Sequence, residues 1–314
     1  MMNVIMGVIS ELRRIILEEY DRPNSLKKSR DLVSGIVPKR LFKFRAVGQY
    51  SIENFREDTL FCAKADSFND PFDCSLKLVG PDPKELIINA LQILRLCTEE
   101  RTRRISESDQ PSTVLAEIVQ ELDGTMQASD KKLFVAKLMG AINEPRDTLN
   151  SKIRRSCNIC SVTQRVDSLP MWAHYGDDHK GFAMEYDYSV LPIGHKVRES
   201  LWPVIYGDEM YDVTSQIFGR TVKEFSPLFL IGGAIHKSTD WRYEDEWRIV
   251  LPVGAENPEE NVSVPTPVAL YLGAQIASES AENLLDIARQ KDIPVYRMEH
   301  SRTDFKMEPV EFFG

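Results

Sequence analysis

The sequence predicts an α+β fold in which a mixed or split β-sheet carries a helical insertion and an N-terminal helix. Segments in which apolar and polar residues alternate, as they do in β-strands, lie before residue 73 and again after residue 157. The intervening residues 81–155 show helical periodicity instead. We therefore expect one α+β domain over residues 1–314, with an N-terminal helix within residues 1–37 and the helical insertion at 81–155.

The composition is that of an ordinary folded protein. Hydrophobic residues make up 42% of the chain and charged residues 28%, which argues against a disordered protein. The net charge of −9 argues against a generally basic surface that binds nucleic acid backbones. No stretch reaches the roughly 20 apolar residues that a membrane-spanning helix needs, and residues 1–9 lack the basic start of a signal peptide. We expect a cytoplasmic protein with no membrane partner.

The first elements are a helix and a basic strand. Residues 1–20 form an amphipathic pattern whose apolar stripe is a candidate for covering a sheet edge or for joining a homodimer. Residues 41–47 alternate as a strand does, which places Lys43 and Arg45 on one face. This basic pair is either a solvated face or part of a binding site.

A second strand is predicted at residues 60–65, and the loop 66–73 follows it. Pro71 fixes its own φ and moves Asp70 away from helical backbone angles, so we expect a rigid loop. The loop presents three polar side chains at the end of the strand: Ser67, Asn69 and Asp70.

Sheet character returns after the insertion, in which helical patterns occupy residues 112–122 and 129–142. The strand predicted at 157–162 turns Cys157 and Cys160 to opposite faces, and no second ligand pair follows at zinc spacing. We expect buried, reduced thiols, with structural zinc as the alternative.

The segment 169–188 combines a short helix, a polar turn and a strand. Pro170 opens the helix, whose ring-bearing residues Trp172, His174 and Tyr175 are candidates for an aromatic platform. In the following strand, 181–188, Glu185 shares a face with small residues, which is typical of a cleft wall. The alternative is an edge strand with a polar outer face.

The later elements are predicted from periodicity. They are a strand at 196–206, an apolar helix at 218–236, and a strand, helix, strand unit at 268–273, 277–290 and 293–298, which is typical of a parallel pair.

Residues 240–251, DWRYEDEWRIVL, are the strongest candidate for a site. We predict a strand at 243–251, which would place Glu244, Glu246 and Arg248 on one face. Two carboxylates side by side repel each other unless water, a cation or a ligand relieves the repulsion. The alternative is an exposed strand whose glutamates pair with Arg242 and Arg248.

Four segments, in this order, resemble the prokaryotic family called domain of unknown function 2971: LFKFR, SFNDPFD, MWAHYGDDHKGFAMEYD and WRYEDEWR. The resemblance spans about residues 40–300. Its most specific residues are Asn69, Asp70, Pro71, Phe72, Trp172, Tyr175 and Gly181. Because that family carries no established activity, the resemblance leaves the function open.

The order of segments also resembles, more distantly, ADP-ribosyltransferases with an Arg-Ser-Glu triad. This resemblance implies that Arg45 holds a phosphate of NAD and that Ser67 orders the nicotinamide ribose, with Lys43 competing with Arg45. It implies that Glu246 binds the ribose and stabilises an oxocarbenium-like transition state, while Glu244 polarises the acceptor.

The function implied is that of a nucleotide-binding, NAD-consuming transferase, as in a bacterial toxin or defence effector, with NAD as substrate and an unidentified acceptor. The expected catalytic residues are Glu246, Glu244 and Ser67, and the expected ligand-binding residues are Arg45, Lys43, Asn69, Asp70, Trp172, Tyr175 and Glu185.

Two other functions remain open. A metal-dependent phosphodiesterase or nuclease would bind magnesium or manganese through hard oxygen ligands and place a lysine near the phosphate. Its ligands would be Asp70, Glu185, Glu244 and Glu246, with Lys43 or Lys237 as the lysine. A non-catalytic module would use the same cleft to bind a nucleotide or a protein segment without turnover.

Overall fold

The computed structural model describes residues 2–77, 82–93, 95–121, 146–214 and 226–312. These residues divide into two compact units. The first comprises described residues within 1–75, 153–210 and 224–314, and the second comprises those within 76–152 and 211–223.

Both α-helices and β-strands occur along the described residues. The helices are α1 Met2–Glu18, α2 Ser25–Ser34, α3 Gln49–Arg56, α4 Pro83–Ile93, α5 Glu99–Glu107, α6 Pro111–Glu121, α7 Arg146–Arg154, α8 Leu169–Tyr175, α9 Lys196–Glu199, α10 Pro227–Ile235 and α11 Ser278–Gln290. The strands are β1 Leu41–Arg45, β2 Thr59–Cys62, β3 Leu76–Lys77, β4 Cys157–Thr163, β5 Phe182–Tyr186, β6 Leu201–Pro203, β7 Ile205–Gly207, β8 Tyr211–Asp212, β9 His236–Ser238, β10 Glu246–Pro252, β11 Glu260–Ser263, β12 Ala269–Leu272, β13 Val295–His300 and β14 Met307–Glu311.

The core of the first unit is an eight-stranded mixed sheet with the order β14-β13-β12-β5-β1-β4-β10-β6. Its neighbouring strands are antiparallel except for β12 and β13, whose parallel pairing through α11 confirms the predicted strand, helix, strand unit. The predicted α+β class is therefore confirmed, with a mixed sheet as its core.

The sheet has a gap between its central strands. β1 pairs with β5 along all five of its residues, but it pairs with β4 only at Phe42 and Thr163. Farther along β4, Ile159 instead exchanges two backbone hydrogen bonds with Ala63, which follows β2. The stretch of β4 between these two contacts therefore faces an opening bounded by β1 on one side and by β2 at its end.

A tight turn between α8 and β5 holds β1 in place. Asp177, Asp178 and His179 all have positive φ, at 49°, 50° and 67°, and Gly181 N–H donates to the Gly176 carbonyl at 2.7 Å. A Cβ at Gly181 would collide with the carbonyl oxygen of Arg45. Only glycine permits this approach of the turn to the end of β1.

Helix α8 covers one face of the sheet. Trp172 packs edge-on against Phe44, with ring centroids 4.8 Å apart, and belongs to an apolar cluster with Phe42, Met171 and Tyr271. This packing fixes the orientation of α8, so the residues at its C-terminal end face the opening in the sheet.

Three element predictions need correction. The strand predicted at 243–251 begins only at Glu246, because Thr239–Glu244 forms a 3₁₀ helix and Asp245 has a φ of 46°. Residues 196–206 form a short helix and two short strands rather than one strand. The N-terminal segment contains two helices, since Asn24 with φ 66° separates them.

The second unit has its own apolar core, formed by Ile87, Leu91, Ile105, Leu115 and Ile118 of α4, α5 and α6. It also contains the short parallel pair of β3 and β8. The helices lie within the segment where the sequence predicts an insertion. The helix predicted at 129–142 lies outside the described residues, as does the first part of the one predicted at 218–236.

None of the helices within the described residues is long and apolar enough to cross a membrane.

Candidate functional site

A cleft of about 390 Å³ lies at the opening between β1 and β4. Its lining combines charged, aromatic and polar side chains from six parts of the first unit. The lining residues are Phe42, Lys43, Phe44, Arg45, Phe61, Ala63, Ser67, Phe68, Asn69, Asp73, Ile159, Ser161, Val162, Thr163, Met171, His174, Tyr175, Lys237, Glu244 and Glu246. A volume of this size suits a small-molecule ligand.

Two cationic side chains that have no carboxylate partner among the described residues line the β1 side of the cleft. Lys43 Nζ donates to the Ser161 carbonyl at 2.8 Å, across the opening in the sheet. Arg45 Nε and Nη2 are buried, and neither has a hydrogen-bond partner among the described residues. A buried guanidinium nitrogen without an acceptor is costly, which makes this part of the cleft a candidate anion site.

Burial also affects the lysine. Desolvation lowers the pKa of Lys43, and the positive charge of Arg45 lowers it further. An anionic ligand beside both side chains would favour the charged lysine and supply the acceptor that Arg45 lacks. These two residues are therefore the ones in the cleft best suited to hold a phosphate group.

The other side of the cleft borders a buried cluster of five charged residues: Asp73, Lys237, Glu244, Glu246 and Arg248. Each has less than a tenth of its surface exposed, and Arg248 has none. We call this group the charge cluster. It contains three carboxylates and two cations, so it carries one net negative charge when all five groups are ionised.

Arg248 is the centre of the charge cluster. Its guanidinium donates to both carboxylate oxygens of Asp73 at 2.7 and 2.8 Å and to both of Glu246 at 2.7 and 3.0 Å. It also donates to the Ala234 carbonyl at 2.7 Å. All five N–H donors of the guanidinium are used. Arg248 therefore holds two segments of the fold together and has no free donor for a ligand.

Lys237 connects the two glutamates. Its ammonium donates to Glu244 at 2.6 Å and to Glu246 at 3.0 Å, and it lies 4.9 Å from the ring centroid of Trp241. The other oxygen of Glu244 accepts a hydrogen bond from the Tyr175 hydroxyl at 2.6 Å. The two glutamates therefore meet through a shared lysine, although Glu244 is not on the strand that carries Glu246.

The two glutamates have opposite electrostatic character. Burial alone raises the pKa of Glu246, but attraction by Arg248 and Lys237 outweighs burial and lowers that pKa to about 2. Burial and the negative charge of Glu246 raise the pKa of Glu244. Glu246 is thus a permanent anion whose charge is compensated, whereas Glu244 changes its charge more readily.

The polar rim of the cleft comes from the loop after β2 and from the end of α8. Ser67 Oγ donates to the Lys64 carbonyl at 2.7 Å, and Asn69 Nδ2 lies 3.4 Å from the Tyr175 hydroxyl. His174 Nδ1 is 3.1 Å from the hydroxyl of Tyr243. Ser67, Asn69, His174 and Tyr175 are therefore presented to the cleft from two directions.

Three residues expected in the cleft lie elsewhere. Glu185 pairs with Arg40 at 2.7 Å and accepts from Tyr271 at 2.6 Å, so its carboxylate is engaged outside the cleft. Asp70 accepts from the Phe72 backbone N–H at 2.8 Å, which fixes the turn. The third residue, Trp172, is fully buried in the core and cannot be a platform for a ring. The structure therefore corrects all three expectations.

The remaining expected residues are brought together. Lys43, Arg45, Ser67, Asn69, Tyr175, Glu244 and Glu246 all line the one cleft. The sequence did not indicate Asp73, which lies at the end of the DSFNDPFD loop and pairs with Arg248. Its only sequence signal is a carboxylate in a rigid turn, which many structural turns also contain.

The four carboxylates of the metal-dependent alternative do not converge, since Asp70 and Glu185 have the separate structural partners described above. Within the described part of the chain, no group of three or more His, Cys, Asp or Glu side chains is arranged to hold a metal ion. The five cysteines are all free, and Cys157 and Cys160 are buried.

Comparison with known proteins gives one match, to a family model that covers part of the chain. No curated protein and no solved structure matches the chain. Residues 171–249 match the family model described as protein of unknown function (DUF2971), and this segment contains Tyr175, Lys237, Glu244, Glu246 and Arg248. It covers less than half of the 314 residues. The match supports the resemblance to this family of unknown function over residues 171–249.

Proposed function

We propose that the protein is a nucleotide-binding enzyme that consumes NAD and transfers its ADP-ribose group to an acceptor. The observation that carries the proposal is the pair Lys43 and Arg45, which lines the cleft without any carboxylate partner within the described residues. A pyrophosphate supplies the acceptor atoms and the negative charge that these two side chains lack.

The register of the central strands shows how the carboxylates and the cations of the cleft are arranged. Glu246, Thr163 and Phe42 are direct neighbours on β10, β4 and β1. Arg45 is three residues beyond Phe42, or about 10 Å along the strand. Paired residues share a face, so Glu246 and Thr163 lie on the face of Phe42, whereas Lys43 and Arg45 alternate to the other face. Both sets line the cleft at the opening between β1 and β4. A ligand that passes through this opening would contact the cations with its phosphates and the carboxylates with the group that develops positive charge.

We assign the catalytic carboxylate to Glu244 rather than to Glu246, which the resemblance to ADP-ribosyltransferases had favoured. Both oxygens of Glu246 are held by Arg248, and Lys237 adds a third bond, so its charge is compensated. Ionised Glu244 gives the charge cluster its net negative charge. That charge would stabilise the oxocarbenium-like ribose as the bond from C1′ to the nicotinamide nitrogen breaks and its electron pair leaves with nicotinamide.

The second half of the reaction needs a base. The acceptor's nucleophilic atom forms the new bond to C1′, and its proton passes to Glu244, whose pKa is raised and which is therefore the better base of the two glutamates. Tyr175, which donates to Glu244 at 2.6 Å, orients this carboxylate.

The test is release of nicotinamide from NAD by the purified protein in the presence of a chelator. We expect Glu244→Gln to lower the rate by roughly 100-fold, as loss of one electrostatic stabiliser does. Glu185→Gln is the matched control, because it also changes a buried glutamate but lies outside the cleft. Equal rates for the two variants would exclude Glu244 from the chemistry.

The cellular form of the test addresses the expected role as a toxin or defence effector. Expression of the wild-type protein in bacteria should lower cellular NAD and slow growth, whereas expression of Glu244→Gln at the same level should not. Slow growth with unchanged NAD would separate toxicity from NAD consumption.

A non-catalytic nucleotide-binding module is the second candidate, and one observation favours it. Both oxygens of Glu244 have hydrogen-bond partners within the fold, as do both of Glu246. Such saturation is typical of structural carboxylates. Calorimetric binding of NAD that depends on Arg45, together with no release of nicotinamide, would select this candidate.

A further inference from the structure

We propose that Cys62 and Cys160 form a dithiol site that a hydroperoxide converts to an intramolecular disulfide. The inference does not depend on the proposed NAD chemistry. It rests on the register of β2 against β4, on the free state of both thiols and on the charged surroundings of Cys160.

The register places the two cysteines opposite each other. Ala63 and Ile159 form an antiparallel pair that exchanges both backbone hydrogen bonds, at 2.9 and 2.8 Å. The next pair along the two strands is Cys62 and Cys160, which occupies a non-hydrogen-bonded position. Cα atoms in such pairs lie roughly 4.5 Å apart with their side chains on one face, which is within the range that a disulfide spans.

Both thiols are free, and the surroundings of Cys160 favour its thiolate. The Cys62 thiol and the nearby Lys43 and Arg45 side chains lower the pKa of Cys160. The same interaction with Cys160 raises the pKa of Cys62. One member of the pair is therefore set up as the nucleophile and the other as the thiol that resolves the intermediate.

The chemistry balances in two steps. The Cys160 thiolate attacks the terminal oxygen of the hydroperoxide, and the O–O bond breaks. An alcohol or water leaves, and Cys160 becomes a sulfenic acid. The Cys62 sulfur then attacks the Cys160 sulfur, which forms the S–S bond and releases water. Two thiols are oxidised and one hydroperoxide is reduced.

The site adjoins the cleft. Phe61 and Ala63 flank Cys62 in sequence, Ile159 and Ser161 flank Cys160, and all four line the cleft, while the two cysteines are buried behind this lining. A disulfide would therefore join β2 to β4 at the edge of the opening in the sheet. Cys160 is one of the groups that raise the pKa of Lys43, so oxidation of Cys160 would remove that influence.

The experiment is oxidation of the full-length native protein with hydrogen peroxide, followed by intact mass measurement and peptide mapping without reductant. We expect a loss of about 2 Da, for two hydrogens, and a cross-linked peptide pair that contains Cys62 and Cys160. Reduction should restore the original mass. Cys157→Ser is the matched control, because Cys157 is a buried cysteine of the same strand that faces away from the pair, and it should leave the disulfide unchanged.

Other results would overturn the proposal. A folded protein, by circular dichroism, that shows no mass loss under peroxide would exclude the dithiol site. A disulfide that joins any other two cysteines would do so as well. Mapping of the wild-type protein gives the answer even if Cys62→Ser or Cys160→Ser fails to fold.

Discussion

Replacement of Arg248 by Met tests the charge cluster most directly. The substitution keeps much of the side-chain volume but removes the guanidinium that bonds Asp73 and Glu246 through four contacts of 2.7 to 3.0 Å. Three buried carboxylates would then share a single cation, Lys237. We expect a large loss of stability, because removal of one partner leaves buried charges uncompensated.

The size of the effect follows from the electrostatics of Glu246. Its pKa falls from 4.5 to about 2 in the fold, and a shift of this size corresponds to about 3 kcal/mol of stability at neutral pH. Loss of one partner of a buried ion pair costs roughly 3–5 kcal/mol, so the two arguments agree. We expect Arg248→Met to lower the free energy of unfolding by this amount.

The dependence on pH gives the argument a second readout. A carboxylate with a lowered folded-state pKa contributes stability that is fully present above its unfolded value of 4.5 and is lost as pH falls toward 2. The difference between wild type and Arg248→Met should therefore be largest at neutral pH and shrink below about pH 4.5. Urea unfolding followed by circular dichroism at several pH values measures both quantities.

The matched control is Arg40→Met. Arg40 also pairs with a buried glutamate, Glu185, but 60% of its side chain is exposed, so water screens the pair and the cost should be about 1 kcal/mol or less. If Arg248→Met cost no more than Arg40→Met, or if its cost did not change with pH, the view of the charge cluster as an electrostatic support would be refuted.

Three further predictions concern the cleft and the turn behind it. Inorganic pyrophosphate should raise the melting temperature of the wild type but not that of Arg45→Gln. At a concentration 100-fold above the Kd, the expected stabilisation of the wild type is about 2.7 kcal/mol. Equal shifts in melting temperature for the two proteins would show that the anion binds elsewhere. Because Glu244 must be ionised to act and its pKa is raised, the rate of nicotinamide release should rise with pH through that raised pKa, and a profile that falls over the same range would contradict the assigned role. Gly181→Ala should destabilise the protein by roughly 1–3 kcal/mol and weaken pyrophosphate binding, because the added Cβ would displace the backbone of Arg45. Gly7→Ala is the control and should not destabilise the protein, because its added Cβ meets no atom within 4 Å. Thermal unfolding measures the stability of both variants, and calorimetry measures their pyrophosphate binding.

Many elements were predictable because their signal is local. The alternation in LFKFR and in residues 181–188 predicts β1 and β5, and Pro170 predicts the start of α8 within one residue. The parallel pair of β12 and β13 follows from a strand, helix, strand pattern. In each case, side-chain periodicity matches the geometry of one element, so neighbouring residues suffice to predict it.

Part of the site was predictable for a different reason. Alternation in the first strand indicated Lys43 and Arg45, and the SFNDPFD loop after the second strand indicated Ser67 and Asn69; all four line the cleft. The sequence did not distinguish them from Glu185, which has similar neighbours along its strand but pairs with Arg40. Alternation predicts the face on which a side chain lies, and it does not predict what lies opposite that face.

The sequence by itself determined the α+β class and most of the strands around the cleft, and it indicated Lys43 and Arg45 as candidate binding residues. Only the tertiary structure decided which acids line the same cleft as those cations and which are engaged elsewhere. Arg248 and Asp73 are 175 residues apart in the chain, and Tyr175 and Glu244 are 69 apart. The cleft itself lies at the opening between β1 and β4, where β4 exchanges its pairing partner from Phe42 for Ala63. This exchange of partners involves three strands, so no single segment of the sequence predicts it.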